Sequence, residues 1–151
     1  MKHSAGVLIY RRPSGTPEVL LVKPGGPYWR HKDLGAWQIP KGGIDHGETT
    51  EAAARREAQE ELGAALQGPL QPLGDIRQAG GKLVTAFAIE QDLDAERIVS
   101  NTFAMEWPPR SGRMEEFPEV DAARWLSIDA ARAAILPSQE PLLDRLLALL
   151  G

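Results

Sequence analysis

The sequence predicts an α/β fold, a mixed sheet with helices on both sides, and three observations carry that prediction. Short apolar runs separated by Gly and Pro turns recur along the chain and read as strands. Between them, residues 50–62 form a polar, alanine-rich segment with both helix ends marked. The chain then closes on leucines at helical spacing. With 151 residues and no internal repeat or low-complexity tract, residues 1–151 are expected to form one domain with a substantial core.

Residues 5–10 and 19–23 flank RRPSGTPE, whose Pro and Gly mark a turn, so an antiparallel pair opens the fold. Residues 24–35, PGGPYWRHKDLG, make a long loop rich in Gly, Pro, basic and aromatic residues, and loops of this kind are often functional. Residues 36–40 read as a short strand. Thr49 stands at an N-cap, Glu51 in the first helical turn and Gly63 at the C′ position. Residues 70–78 and 82–92 read as strands broken at Gly80 and Gly81, and 102–107 as a further strand ended by Pro108 and Pro109. A second breaker-rich loop follows, then a strand at 123–126. Ser127 with Asp129 caps a helix running toward Leu136, and 141–150 form a last, apolar helix whose leucines suit the core or a dimer contact, so monomer and homodimer both stay open.

Composition removes several function classes. A net charge of −4 offers no broad basic footprint, which argues against duplex nucleic acid as a partner and favours a small phosphorylated molecule. Without cysteine there is neither a disulfide nor a thiolate metal site. Residues 6–10 are too short for a signal-peptide core and no apolar stretch is long enough to cross a bilayer, so the expected setting is cytoplasmic, away from membranes.

The chemistry concentrates on the first helix. Ala54, Ala58 and Leu62 form an apolar stripe that docks it on the sheet, and Glu51 with Arg55 is an ordinary exposed pair. Glu57, Glu60 and Glu61 stand at i, i+3 and i+4, so their side chains converge. Like charges gathered in a concave site need a compensating cation, and an oxygen-only donor set suits Mg²⁺ or Mn²⁺ better than zinc. Arg56 lies beside Glu60 on the wheel, where its forked donor can hold carboxylates in a ligating rotamer.

Residues 42–64, GGIDHGETTEAAARREAQEELGA, match GX5EX7REUXEEXGU at every fixed letter: Gly42, Glu48, Arg56, Glu57, Glu60, Glu61 and Gly63. On these residues the chain resembles the Nudix hydrolases, with small Ala58 and Ala64 where bulkier aliphatics are usual. The resemblance implies an α/β/α sandwich and a metal-dependent hydrolase that cleaves a pyrophosphate bond in a nucleoside diphosphate linked to another group. It implies Mg²⁺ (or Mn²⁺) held by Glu57, Glu60, Glu61 and the main-chain carbonyl of Lys41, with Glu57 and Glu60 catalytic. Arg56 and Glu48 would support these ligands, and His46, at an unrestricted position, would face water.

Many members recruit a glutamate from outside the box; Glu119, six residues before Trp125, is the choice here, with Glu115 and Glu116 as rivals. The sequence Ile39-Pro40-Lys41-Gly42 resembles the PKG motif of diadenosine and diphosphoinositol polyphosphate hydrolases, which points to long phosphate chains. Lys23, Arg30, Lys41, Gly42 and Gly43 are the candidate substrate contacts, with His31 and Lys32 close by, and Trp29, Trp37 or Trp107 could stack a base. A dinucleoside polyphosphate or NTP-like nucleotide ranks first. ADP-ribose, a nucleotide sugar or a diphosphoinositol polyphosphate follows, and a catalytically silent nucleotide sensor is the reading of another class.

Overall fold

The computed structural model describes residues 2–151. The strands are β1 (His3–Arg11), β2 (Glu18–Pro24), β3 (Lys41–Gly43), β4 (Gln71–Gln78), β5 (Lys82–Glu90), β6 (Thr102–Glu106), β7 (Met114–Pro118) and β8 (Val120–Ser127), and the helices are α1 (Thr50–Leu62), α2 (Ile128–Ala134) and α3 (Pro141–Leu150). The main sheet runs β4-β5-β1-β2-β8, with β1 and β5 parallel and the other neighbours antiparallel.

Strand periodicity places the core on both faces. In β1, Leu8 and Tyr10 face one side while Ala5, Val7 and Ile9 face the other; β2 divides in the same way into Val19 and Leu21 against Leu20 and Val22. Leu142, Leu143 and Leu146 of α3 and Ala131 of α2 cover the first face, and Ala53, Ala54 and Leu62 of α1 cover the second. The architecture is therefore the expected three-layer sandwich around a mixed sheet.

One edge of β1 serves two partners. Its first half pairs with β3, Ser4 to Gly6 against Gly43 to Lys41, and its last residues pair with β2, Ile9 to Arg11 against Leu20 to Glu18. Two strands sharing one edge must separate, and the gap between them opens toward α1. The hairpin β6–β7 forms a second, two-stranded sheet.

Both marked ends of α1 form. The Thr49 hydroxyl accepts from the Ala52 N–H at 3.1 Å, and Gly63 closes the helix at φ 72°, its N–H donating to the Gln59 carbonyl at 2.8 Å. Two segments depart from the sequence reading. Residues 36–40 are not a strand: the N–H groups of Trp37, Gln38 and Ile39 donate to the Ala134 carbonyl, the Val22 carbonyl and the Gln139 side chain, three different elements instead of one ladder. The second breaker-rich loop contains β7, whose first three residues, Met114, Glu115 and Glu116, are all exposed and so lack the alternation that marks a half-buried strand. No helix among the described residues is long and apolar enough to cross a membrane.

Candidate active site

The gap between β2 and β3 is a cavity of about 470 Å³. Glu57 and Glu61 rise into it from α1, Lys41, Gly42 and Gly43 form one wall, and Glu119 enters from the residue just before β8. Helical geometry aims the two α1 carboxylates at the gap, since both lie beside the buried stripe that docks the helix. Both are mostly buried, Glu57 at 9% and Glu61 at 7% exposure, where an acidic side chain needs a reason to be.

Glu57, Glu60 and Glu119 each offer a carboxylate oxygen such that all three lie within 4.8 Å of one another. Backbone hydrogen bonds set that convergence. The Glu119 N–H donates to the Asn101 carbonyl at 2.8 Å, the Asn101 N–H donates to the Glu60 carbonyl at 2.8 Å, and the Gly25 N–H donates to the Glu119 carbonyl at 2.9 Å. Residue 119 is thus tied to the last turn of α1. Glu115 and Glu116 are exposed on β7 and are not in the cluster.

Glu61 sits deeper and apart from that trio, accepting from the Lys41 N–H at 3.2 Å. Burial, then the neighbouring Glu57, pushes its carboxyl up to about 9. Burial also raises Glu57 and Glu119, the latter further through Glu60, and burial lowers the Lys41 ammonium. A site that pushes several carboxyls toward the neutral form is short of positive charge. Oxygen donors alone, closely spaced and half-sheltered, fit a hard divalent cation, so the residues present suit Mg²⁺ or Mn²⁺.

Arg56 braces the cluster. Its Nε and Nη2 donate to both Glu48 oxygens at 2.9 Å, its Nη1 donates to Glu57 Oε1 at 2.8 Å and its Nη2 to the Gly43 carbonyl at 2.8 Å. The forked pair holds the Glu48 carboxyl down at about 2 and raises the guanidinium. Glu48 also accepts from the Asp45 N–H at 3.0 Å, closing the turn that precedes α1, so its position is structural. Gly42 leaves room for the Glu57 carboxyl, which a Cβ at that position would overlap.

The expected substrate contacts divide. Lys41, Gly42 and Gly43 line the cavity, whereas Lys23 and Arg30 do not. Val22 and Pro24 line it from β2, and the intervening Lys23 falls on the opposite side of the strand. Arg30 is exposed on the 24–35 loop and His46 is exposed as well. Of the tryptophans, Trp37 is core, its indole N–H on Asp33 at 2.9 Å, and Trp107 packs edge-on against Tyr28 with centroids 5.5 Å apart. Trp29 lines the cavity, together with Phe103 and Gln38, which the sequence reading did not single out. Phe103 lies on a hairpin remote in sequence, and nothing in its local pattern marks it.

Comparisons with known proteins bear on the family and the fold. The family model described as NUDIX domain matches residues 2–146. An RNA pyrophosphohydrolase from Rhodospirillum rubrum is 31% identical over 166 residues, covering 96% of this chain and 89% of that protein. Among solved structures, a binary complex of the C. elegans Ap4A hydrolase has a TM-score of 0.67 at 23% identity, covering 97% of each chain. The NUDIX domain of Shewanella oneidensis NrtR complexed with ADP ribose has a TM-score of 0.70 at 16% identity, covering 100% of this chain and 89% of that one. At these identities the structural likeness speaks to the fold alone. The family model and the 31% relative go further, and with the complete box at residues 42–64 they establish that the chain belongs to the Nudix hydrolase family.

Proposed function

We propose that this hydrolase cleaves a pyrophosphate bond in a dinucleoside polyphosphate of the diadenosine tetraphosphate type, or in an NTP-like nucleotide, with Mg²⁺ or Mn²⁺ as cofactor. The observation that carries the proposal is the cluster of Glu57, Glu60 and Glu119 at the edge of a cavity large enough for a nucleotide. Glu57, Glu60 and Glu119 would hold the cation, with Glu61 and the Lys41 carbonyl as the further ligands that the family resemblance implies. A bound divalent ion supplies charge neutralisation for the phosphates and lowers the pKa of water at neutral pH.

The remaining work belongs to this chain's own groups. Glu119, which enters from outside the box and is half-buried, accepts the proton of the attacking water or orients that water toward phosphorus. Arg56 keeps Glu57 in one rotamer through the turn of an adjacent guanidinium, and the Gly42–Gly43 main chain lets the phosphate chain approach without a Cβ in its way. Lys41 is on the cavity wall, where its main-chain N–H donates to the Glu61 carboxyl at 3.2 Å.

A second reading is favoured by one finding: the 31% relative carries the name RNA pyrophosphohydrolase, so a 5′-triphosphorylated RNA end is an alternative substrate. A catalytically silent sensor would be expected to have lost metal glutamates, and Glu57, Glu60 and Glu61 are all present. A panel assay separates these readings. Mg²⁺-dependent release of AMP plus ATP from diadenosine tetraphosphate, lost by about two orders of magnitude in Glu60→Gln, is the expected result. Turnover confined to triphosphorylated RNA supports the second reading, and binding without turnover across the panel supports the sensor.

A further inference from the structure

We infer that Gln38, which lines the cavity together with Trp29 and Phe103, reads the N6/N7 edge of the base and makes the cavity selective for adenine over guanine. This rests on the proposed function in that the same cavity receives the nucleotide, and it adds which base is preferred and which residue decides it.

The direction of the Gln38 side chain follows from its main chain. Gln38 and Val22 exchange both backbone hydrogen bonds at 2.8 Å, an antiparallel bridge that sets their side chains on the same face. Val22 belongs to the α1-side core, and the flanking Trp37 and Ile39 belong to the core on the opposite face. Gln38 is therefore directed away from its two core neighbours and toward the α1 side, where it lines the cavity while remaining half-buried.

Its chemical surroundings are distinctive. Of the side chains lining the cavity, Gln38 alone is uncharged and carries both a hydrogen-bond donor and an acceptor. Among the described residues its amide makes no side-chain hydrogen bond within the protein, whereas the buried Gln139 and Glu61 side chains nearby are both engaged. Two aromatic side chains from separate elements, Trp29 from the 24–35 loop and Phe103 from β6, line the same cavity. Aromatic faces hold any base by stacking and do not choose among bases. An amide that both donates and accepts does choose, on the edge it meets. With the N6/N7 edge of the base set against Gln38, it pairs in two-point fashion with the N6–H and N7 of adenine, whereas the O6 and N7 of guanine are both acceptors and leave the amide oxygen facing an acceptor.

The test compares equilibrium binding of AMP and GMP by calorimetry, and hydrolysis of diadenosine and diguanosine tetraphosphate with Mg²⁺, for the intact chain, Gln38→Met and Trp29→Ala. Expected is an adenine preference of about tenfold in the natural protein, reduced to within about twofold in Gln38→Met. Trp29→Ala should weaken both nucleotides by a similar factor and keep the ratio, since stacking is indifferent to sequence. Equal affinity for AMP and GMP in the natural protein, or an unchanged ratio in Gln38→Met with its thermal transition intact, overturns the inference. The binding arm keeps this result separate from the catalytic proposal: selective binding with no hydrolysis of either tetraphosphate would sink the proposed reaction and leave the base-reading role supported. Should Gln38→Met fail to fold, Gln38→Lys, which keeps a donor but removes the acceptor that takes the N6–H, must lose the adenine preference by the same measure.

Discussion

The Glu57 carboxyl occupies the space into which a Cβ on residue 42 would project. This contact gives a reason for glycine fifteen residues before Glu57: a Cβ at residue 42 would take the space of the carboxyl, and the Glu57 side chain would have to swing aside. Gly42→Ala should displace the Glu57 carboxyl from its place beside β3. Expected is a loss of activity of about a hundredfold, as for a misplacement near 1 Å, with metal binding weakened in parallel. Alanine at residue 43 meets open space and should retain metal binding, so the pair of variants, compared by Mn²⁺ titration, isolates the contact with Glu57.

Glu119 differs from its sequence neighbours by place and not by type. It lies with Glu57 and Glu60, whereas Glu115 and Glu116 are exposed on β7 and outside that cluster. Glu119→Gln should lower kcat by about two to four orders of magnitude, the range for removing a positioned acid or base, while Glu115→Gln and Glu116→Gln remain within a few-fold of the natural protein. Steady-state kinetics on the three single variants decides between them.

Protonation of Glu61 ties stability to pH. In the metal-free protein its carboxyl is held up to about 9 against an ordinary value near 4.5, so between these values the folded state binds more protons than the unfolded state. Stability must then fall as pH rises through that window, and Glu57 and Glu119, also raised, add to the slope. Melting curves in EDTA should show Tm dropping by several degrees from pH 5 to pH 9, on the order of a few kcal/mol, and Glu61→Gln should flatten most of it. Added Mg²⁺ should restore Tm at the alkaline end. A Tm that climbs with pH in EDTA contradicts this account of the buried carboxyl.

Arg56 tests whether geometry or charge braces the cluster. Its guanidinium reaches Glu48, Glu57 and the Gly43 carbonyl at once, which an ammonium on a flexible stem does not reproduce. Arg56→Lys is expected to cost about ten- to a hundredfold in metal affinity despite keeping the charge, as for removal of a group that orients metal ligands. Isothermal titration with Mn²⁺ measures it directly.

Much of this architecture was legible because local signals and tertiary demands coincide. The caps at Thr49 and Gly63 and the stripe of Ala54, Ala58 and Leu62 each follow from helical geometry alone, whereas of the three α1 glutamates expected to converge only Glu57 and Glu60 share a cluster, with Glu119 in place of Glu61. The sandwich also follows from the resemblance carried by the box. What escaped the sequence depends on contacts between distant segments. Residues 36–40 have the composition of a strand but spend their N–H groups on three separate elements, and β7 forms in a charged stretch because β6 supplies the ladder that its own pattern does not announce. Within the site, Lys23 was assigned to the cavity by its closeness in sequence, but strand alternation sends it to the other side. Phe103 and Gln38 became visible only once β6 and the 36–40 segment were placed around the gap.

The central claim is that Glu57, Glu60 and Glu119 together hold a divalent cation, and the most direct measurement is an Mn²⁺ titration followed by electron paramagnetic resonance. The natural protein should bind Mn²⁺ competitively with Mg²⁺, and Glu57→Gln, Glu60→Gln and Glu119→Gln should each weaken that binding by about tenfold or more. If all three variants take up Mn²⁺ with the affinity of the natural protein, these carboxylates are not its ligands and the account of the site is wrong.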